Sequence, residues 1–256
     1  MVALHVATLN IRNMADRWAE RLPLLLADMA ALQPDLLGLQ EVVYPMQQDR
    51  LIGAAGDGRY DAVRGWAGRP EYGNSLLVRE PLVAGSVDRL ELGLNRAALR
   101  AVVPVGVETD LLVVVTHLHH ETDGATDRDR QVDQLLAWVA SAPVTRATVV
   151  MGDFNAHPDE PAVERMRARG YRSAFLEANG KEPAVTWPSG IQAPNMDTDG
   201  DPACLDYIWV TGEVSVTSAR LTFDRPAVAD ATLYPSDHFG LSAHLEIGAR
   251  GPGVDR

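Results

Sequence analysis

The segment from Thr148 to Pro158 changes from an apolar, β-branched run to polar groups separated by a glycine. This change predicts a buried strand that ends at the edge of a sheet where functional residues lie. Asp153 and Asn155 lie two residues apart, so their side chains point the same way if the extended conformation persists. One is an acceptor or base and the other a neutral donor, a pair that suits attack of water on a phosphate. An Asx-type turn that closes the strand is the alternative interpretation.

Other polar residues also occur at or beside the end of an apolar run. The full set is Asn10, Glu41, His117, Asp153, Asn155, Asp206, Asp237 and His238. Core packing does not explain eight such positions. Their chemistry is complementary, because carboxylates bind metals, amides and histidines contact phosphate oxygens, and an acid can orient an imidazole. For Glu41 alone, a salt bridge and a Mg²⁺ ligand are both open interpretations.

The elements that position these residues combine helical and strand-like patterns. Apolar residues spaced by three and four predict helices over Trp18 to Leu32 and Asp127 to Ala140. Shorter helices are predicted near Pro45 to Ala54 and Glu160 to Arg169. Besides the strand near Thr148, strands are predicted over Ala3–Leu9, Asp35–Leu39, Tyr60–Arg64, Gly73–Val78, Val83–Glu91, Ala98–Val105, Leu111–Thr116, Leu205–Val210, Val214–Phe223 and Leu241–Ile247.

Strand order and strand ends add two expectations. The strands that begin at Gly73, Val83 and Ala98 are predicted to form an antiparallel meander. Among the histidines that follow the strand from Leu111, only His117 and His119 are expected to share a face.

Composition predicts one globular domain over residues 1–248 and a flexible tail over residues 249–256. The chain has 256 residues, of which 46% are hydrophobic and 23% charged, and no linker-like segment divides it. Lys and Arg number 23 and Asp and Glu number 35, which gives a net charge of −12. Because this charge repels a polyphosphate backbone, long nucleic acid is disfavoured as a partner.

The cysteine content and the absence of certain motifs restrict the cellular location and the kinds of binding site expected. Cys204 is the single cysteine, so neither an intrachain disulfide nor a cysteine-based zinc site is expected, and a cytoplasmic protein is predicted. No signal peptide and no transmembrane segment are expected. No glycine-rich loop is followed by a lysine, which excludes a Walker-type nucleotide site. The acidic positions from Asp197 to Asp201 are interpreted as a surface loop rather than a calcium loop.

Six motifs occur in one order along the chain. They are Leu9-Asn10-Ile11, Leu39-Gln40-Glu41, Thr116-His117-Leu118, Gly152-Asp153-Phe154-Asn155, Leu205-Asp206-Tyr207-Ile208 and Ser236-Asp237-His238. At these residues the sequence resembles the endonuclease/exonuclease/phosphatase superfamily, the deoxyribonuclease I-like metallo-phosphoesterases. The resemblance implies a four-layer α/β/β/α sandwich, in which two mixed β-sheets pack face to face with helices outside. It also implies Mg²⁺, with Mn²⁺ or Ca²⁺ as alternatives.

The resemblance implies a role for each motif residue. Glu41 would hold the metal with help from Asn10 and Asp237, and Asn10 and Arg12 would help to place the substrate. Asp153 would position or deprotonate the attacking water, and Asn155 would donate to a phosphate oxygen. His117 and His238 would flank the phosphate, and Asp206 would fix the tautomer of His238.

Substrate recognition is less directly specified. Many members of the superfamily orient the first histidine with a glutamate before a Gly-Asn pair, whereas this chain has Glu71-Tyr72-Gly73-Asn74, so that partner is open. Asn74 is retained as a substrate-binding candidate. Trp66 and Trp187 lie in Gly/Pro-rich loops, where they either contact the organic part of a substrate or cover core.

The resemblance, together with the acidic net charge, implies a Mg²⁺-dependent hydrolase that cleaves a phosphate mono- or diester of a small or lipid-derived substrate. A nuclease and a non-catalytic binding protein on the same fold are the alternatives. The complete set of charged and polar groups argues against a binding protein, because binding alone does not require both histidines and the orienting aspartate.

Overall fold

In the computed structural model, residues 1–57, 59–194, 196 and 200–248 are described. The helices within these ranges are α1 (Trp18–Leu32), α2 (Gln48–Ala55), α3 (Ala125–Ala140), α4 (Pro161–Ala168) and α5 (Ala174–Asn179). The strands are β1 (Val2–Asn10), β2 (Leu36–Val43), β3 (Tyr60–Gly65), β4 (Tyr72–Arg79), β5 (Val87–Gly93), β6 (Arg96–Gly106), β7 (Thr109–His117), β8 (Ala147–Asp153), β9 (Arg172–Ser173), β10 (Asp206–Gly212), β11 (Val214–Thr222) and β12 (Gly240–Ile247).

The strands form two six-stranded sheets. Their strand orders are β11-β12-β1-β2-β4-β3 and β5-β6-β7-β8-β10-β9. Both sheets are mixed, because β1 pairs with β2 and β7 with β8 in parallel while the neighbouring pairs are antiparallel. Each sheet therefore has a parallel pair near its middle. The carboxyl ends of both pairs lie at the same edge of the sandwich.

Three apolar clusters define four layers. Between the sheets lie side chains such as Val6 and Leu76 of the first sheet and Val113 and Val149 of the second. Helices α1 and α2 cover the outer face of the first sheet, and α3 and α4 cover the outer face of the second. The predicted stripe of α3 is buried against its sheet and consists of Val132, Leu135, Leu136 and Val139. The predicted α/β/β/α sandwich of two mixed sheets is confirmed.

The predicted meander is wrong for its first strand, whereas the antiparallel pairing of its second and third strands, β5 and β6, is confirmed. Strand β4 pairs with β2 and β3, whereas β5 pairs with β6 in the other sheet, so the chain crosses between sheets after β4. The segment from Val83 to Ser86 is also not a strand, and the side chain of Val83 is 61% exposed. Alternation of apolar residues predicts a strand but does not say which sheet it joins. Helix α5 and the short strand β9 were not predicted.

Two other predictions concern regions outside the regular elements. Among the described residues, none of the helices has the length and apolar character needed to cross a membrane. Residues 249–256, together with Asp197 and Asp199 of the acidic loop, lie outside the described residues.

A stacked histidine pair joins two strands of the first sheet. His5 of β1 lies opposite His244 of β12, with ring centroids 4.2 Å apart. Burial, followed by the charge of His244, lowers the pKa of His5 to about 4, and Arg220 acts in the same direction while Asp35 opposes it. The folded protein therefore binds a proton at His5 less readily than the unfolded chain does.

This pair predicts a loss of stability in acid. The stability that depends on neutral His5 is complete above its ordinary pKa of 6.5 and is lost as the pH falls towards about 4. We expect the free energy of unfolding in urea to fall over this window, and to fall less in His5→Gln. His157→Gln, which changes a histidine of the cleft, is the control and keeps the wild-type slope. Equal slopes for wild type and His5→Gln would contradict the assignment.

Candidate active site

A cleft of about 580 Å³ opens where β1, β7 and β8 end. It is lined by seven of the eight residues grouped from the sequence, which are Asn10, Glu41, His117, Asp153, Asn155, Asp237 and His238. The eighth, Asp206, is fully buried behind the cleft, where it contacts His238. The strand-end pattern therefore identified residues that meet in space.

Asp153 ends β8, and its position depends on the glycine before it. Gly152 has a φ of 143°, and a Cβ there would lie 2.0 Å from the carbonyl oxygen of Thr116 in β7. Only a residue without a side chain allows β8 to approach β7 this closely. Gly152 therefore helps to place the carboxylate of Asp153 next to His117, its partner in the parallel register.

The carboxylate of Asp153 is 1% exposed and accepts from several donors. Its Oδ1 accepts from the backbone N–H of Asn155 at 2.8 Å, and its Oδ2 accepts from Nδ2 of Asn10 at 3.0 Å. Burial and the charge of Asp206 raise the pKa of Asp153 to about 6, although His238 and the hydrogen bonds oppose this rise. Asp153 is therefore ionised at neutral pH and is closer to its protonation point than an exposed aspartate.

His238 is oriented by a buried acid. Its Nδ1 lies 2.9 Å from Oδ2 of Asp206, and its Nε2 lies 3.7 Å from Oδ2 of Asp153. Burial opposes a charge on this ring, but Asp206, Asp153 and Asp237 outweigh burial and raise the pKa of His238 to about 10. His238 is thus an imidazolium at neutral pH and presents a positive N–H to the cleft.

His117 has a different partner from His238. Its Nε2 lies 3.4 Å from Oδ2 of Asp153, and its Nδ1 lies 3.3 Å from a guanidinium nitrogen of Arg96. Burial, then Arg96, His238 and His120, lower the pKa of His117 well below its usual value. The cleft therefore contains one neutral and one charged imidazole.

Glu41 reaches the cleft from within β2 rather than from beyond its end. The pairing of β2 with β4 is interrupted between Leu39 and Val42, and Glu41 has a left-handed φ of 62°. This bulge turns the carboxylate towards the cleft. There Oε1 lies 3.5 Å from Nδ2 of Asn10, and Oε2 accepts from Nδ2 of Asn13 at 2.7 Å.

Two sets of side chains could hold a divalent ion. Glu41 offers a carboxylate on the cleft wall, and Mg²⁺ usually takes one or two such groups together with water and phosphate oxygens. Asp153, Asp206 and His238 offer ligand atoms that all lie within 4.8 Å of one another, and Oδ1 of Asp206 has no hydrogen-bond partner among the described residues. An imidazole suits transition metals better than Mg²⁺. The donor chemistry therefore fits a divalent ion, and Glu41 fits Mg²⁺ best.

Asn10 and Asp237 fit a metal less well than Glu41 does. Oδ1 of Asn10 accepts from the backbone N–H of Arg12 at 2.9 Å, so the amide nitrogen faces the two carboxylates. Oδ2 of Asp237 lies 3.6 Å from Nε of Arg12 and 3.4 Å from Nε1 of Trp187. Their metal-binding roles stay predictions that this geometry does not favour.

Asn155 does not continue the extended strand. Its φ is 48°, and its backbone donates to the carboxylate of Asp153, which is the arrangement of an Asx turn. Its side-chain Nδ2 donates to the carbonyl of Leu118 at 3.1 Å. The turn interpretation is therefore correct for the backbone. Asp153 and Asn155 nevertheless both line the cleft, and the side-chain amide of Asn155 keeps a second N–H to donate.

Two substrate-binding candidates do not line the cleft. Trp66 packs against the cluster beneath α1 and α2, with the guanidinium of Arg89 3.8 Å from its ring centroid. Asn74 is 3% exposed and donates to the carbonyl of Ala97 at 2.8 Å. Core contacts therefore account for the partly buried Trp66 and the buried Asn74, and Trp187 is the tryptophan that forms part of the cleft wall.

Several residues that line the cleft were not predicted. They are Asn13, Tyr72, Arg96, His120, Thr122, Arg128, His157, Glu160, Gly200, Asp201 and Leu205. His120, rather than His119, joins His117 there, because the strand ends at His117 and alternation stops with it. For Arg96 the sequence did contain an indication. It lies at the start of β6, and in an antiparallel pair that start lies beside the end of β7, where His117 is.

Arg21 of α1 supports the loops that carry the site. Its guanidinium is fully buried and uses all five N–H groups on backbone carbonyls. The acceptors are the carbonyl oxygens of Ile11, Arg12, Ala15, Asp16 and Pro235, at 2.7–3.1 Å. Burial lowers the pKa of Arg21 to about 10, which leaves it charged at neutral pH. One side chain therefore ties the loop after Asn10 to the segment that precedes His238.

Known proteins are similar to this chain in sequence. The family described as Endonuclease/Exonuclease/phosphatase family matches residues 7–238. Nocturnin of Mus musculus is 27% identical over an alignment of 255 positions, which covers 88% of this chain and 58% of Nocturnin. The chain thus spans less than two thirds of that relative.

Solved structures share the fold. The human Nocturnin catalytic domain with bound sulfate anion has a TM-score of 0.75 at 22% identity, and the match covers 96% of this chain and 95% of that one. TDP2 of D. rerio, complexed with single strand DNA product, has a TM-score of 0.79 at 17% identity, with coverage of 95% and 99%. At these identities the likeness establishes the architecture.

The arrangement around Arg21 predicts a large effect from a conservative change. Arg21→Lys supplies three N–H donors where five carbonyls need partners, so at least two acceptors lose their hydrogen bond. We expect the free energy of unfolding in urea to fall by roughly 2–6 kcal/mol, since each of two unsatisfied buried groups costs about 1–3 kcal/mol. Arg130→Lys, on the exposed face of α3, is the control and should change stability by less than about 0.5 kcal/mol. A similar small change for Arg21→Lys would refute this role.

Proposed function

We propose that this chain, which belongs to the endonuclease/exonuclease/phosphatase family, hydrolyses a phosphate mono- or diester of a small or lipid-derived substrate with the help of a divalent metal. One observation carries the proposal. Three side-chain nitrogens, from Asn10, His117 and His238, converge on Oδ2 of Asp153 at the cleft floor. A buried acceptor surrounded by donors suits a water nucleophile next to an anionic phosphate.

Each polar residue of the cleft has a separate role in the proposed hydrolysis. Asp153 is ionised at neutral pH, so it accepts a hydrogen bond from the attacking water and orients it towards phosphorus. The imidazolium of His238 donates to a phosphate oxygen and offsets the charge that develops in the transition state. The second N–H of Asn155 is free of the carbonyl of Leu118 and donates to another phosphate oxygen. Asp206 keeps Nε2 of His238 aimed at the reacting group.

Glu41 is the proposed ligand for Mg²⁺, with Mn²⁺ or Ca²⁺ as alternatives. A divalent ion held there would supply Lewis-acid polarisation of the phosphate and neutralise part of its charge. The contacts from Asn10 and Asn13 fix the orientation of the Glu41 carboxylate. We also propose a cytoplasmic location, because Cys204 is the single cysteine of the sequence, so the fold uses no intrachain disulfide and requires no oxidising compartment.

Substrate class is proposed from charge and shape. The net charge of −12 disfavours long-range attraction of a nucleic acid, and the cleft of about 580 Å³ matches a small organic ester. A nuclease is the second candidate, because TDP2 of D. rerio has this fold and is solved with a single strand DNA product.

The test is a substrate comparison with metal-loaded protein. Small phosphate monoesters, small diesters, lipid-derived phosphate esters and single-stranded oligonucleotides are assayed with Mg²⁺, Mn²⁺ and Ca²⁺ and with chelator. We expect metal-dependent hydrolysis with the highest kcat/KM on a small or lipid-derived ester. A higher kcat/KM on oligonucleotides, with steep loss as salt rises, would favour the nuclease. No hydrolysis of any ester would contradict both candidates.

The first mutational prediction concerns the metal. Glu41→Gln preserves side-chain shape and removes the negative charge, so we expect Mg²⁺ affinity measured by calorimetry to fall at least about tenfold, as for other metal-site changes. The far-UV circular dichroism should be unchanged. Glu71→Gln, at an exposed position that does not line the cleft, is the matched control and should bind Mg²⁺ like wild type. Equal affinity in both variants would remove Glu41 from the metal site.

The second prediction concerns His238 and Asp206. His238→Ala removes the charged donor and Asp206→Asn removes its orientation, so each should lower kcat by roughly 10²–10⁴-fold. Because Asp206 acts through His238, the double variant should be little worse than His238→Ala. A double-variant loss equal to the product of the single losses would show independent action.

The third prediction separates the two tryptophans. Trp187 lines the cleft, so Trp187→Ala should raise KM for the true substrate several-fold while barely changing hydrolysis of a generic aryl phosphate. Trp66 is partly buried against a core cluster, so Trp66→Ala should instead lower the unfolding free energy, by less than the roughly 3–5 kcal/mol of a fully buried aromatic side chain. Thermal melts and kinetics on both substrates measure the two effects. The reverse assignment of effects would contradict the site proposed here.

A further inference from the structure

Arg96 begins β6, and the strand register brings it beside His117. Ala98 of β6 pairs with Thr116 of β7 in antiparallel register, so Arg96 starts its strand where β7 ends. Its guanidinium NH1 lies 3.3 Å from Nδ1 of His117, which is 4% exposed. The contact is therefore made within the wall of the cleft, away from bulk solvent.

The chemistry of a guanidinium fixes the role of each ring nitrogen. A guanidinium has five N–H donors and no acceptor, so Nδ1 of His117 must present its lone pair. The ring proton then lies on Nε2. The other contact agrees, because Nε2 lies 3.4 Å from Oδ2 of Asp153, which is an acceptor. Both neighbours of His117 select the same tautomer.

The second histidine of the cleft has the opposite arrangement. Nδ1 of His238 contacts the carboxylate of Asp206, so this nitrogen donates. Asp206 favours a positive ring, whereas the fixed charge of Arg96 disfavours one at His117. Arg96 also lies near Tyr72 and Glu41 on the cleft wall, and its Nε has no hydrogen-bond partner among the described residues. The hydrogen bond from Arg96 to His117 is therefore the one that orients the Arg96 guanidinium in the described part of the chain.

We propose that Arg96 is a positioning residue, which faces the lone pair of Nδ1 of His117 and so keeps the ring proton on Nε2, directed at the phosphate position beside Asp153. The catalytic consequence rests on the function proposed above, whereas the tautomer does not. If the proton moved to Nδ1, the lone pair of Nε2 would face both the Asp153 carboxylate and an anionic phosphate oxygen. A donor would be lost and a repulsion would replace it.

A series of substitutions separates hydrogen bonding from charge. Arg96→Gln retains an N–H donor without the charge, Arg96→Met removes the donor, and Arg96→Glu supplies an acceptor that selects a proton on Nδ1. Arg100→Met, on the same strand and in contact with Asp88 and Trp138, is the matched control. Thermal melts establish that each variant is folded before it is compared.

The tautomer is measured directly by ¹⁵N-detected long-range NMR correlations of the histidine rings in the metal-free protein. We expect the Nε2–H tautomer of His117 in wild type, Arg96→Gln and Arg100→Met. Arg96→Met should show a mixture, and Arg96→Glu should show mainly Nδ1–H. An Nδ1–H tautomer in wild type, or an unchanged tautomer in both Arg96→Met and Arg96→Glu, would overturn the proposal.

Kinetics on the best ester substrate test the catalytic consequence. Removal of a residue that orients a metal ligand typically costs about 10–100-fold, and by analogy kcat of Arg96→Met should fall in that range with a smaller change in KM. Arg96→Gln should recover most of the loss, which a purely structural role would not produce. Unchanged kcat in Arg96→Met despite a changed tautomer would refute the positioning role. If wild type hydrolyses no ester, the proposed function fails while the NMR result still decides the tautomer.

Discussion

The carboxylate of Asp153 is the constraint on which the rest of the site depends. It is almost completely buried, and a buried charge is costly unless hydrogen bonds and opposite charges compensate it. The compensation comes from both sheets, because Asn10 ends β1 of the first sheet and Asn155 follows β8 of the second. The edges of the two sheets are therefore fixed relative to each other by the same contacts that prepare the nucleophile's position. The guanidinium of Arg21 stabilises this junction from the side of α1.

The two histidines of the cleft differ in charge because their neighbouring residues differ. Asp206 keeps His238 charged and Arg96 disfavours a charge on His117, although both rings lie within 4 Å of the same carboxylate oxygen. Two imidazolium rings there would repel each other, and two neutral rings would offset less of the charge that develops on a phosphate. One neutral donor and one charged donor satisfy both conditions. Both rings are buried, so the difference arises from their charged neighbours, with Arg96 beside His117 and Asp206, followed by Asp153 and Asp237, around His238.

Much of the fold followed from local patterns, because burial on one face leaves a period in the sequence. The stripes of α1 and α3 and the apolar runs of β1, β7 and β8 were predicted close to their observed bounds. The partition of strands between sheets was not, since β4 and β5 are adjacent in sequence but pair in different sheets. Pairing depends on contacts between distant segments, and β-strand alternation is the same whichever neighbour a strand takes.

The sequence by itself determined the residue types of the site and their position at strand ends, because parallel strands deliver such residues to one edge. Only the tertiary structure decided how they interact. The bulge that turns Glu41 into the cleft and the contact of Arg96 with His117 arise from strand register. The separation of Trp187 in the cleft from Trp66 against a core cluster arises from where each loop packs. Each of these depends on long-range packing, which a window of neighbouring residues does not contain.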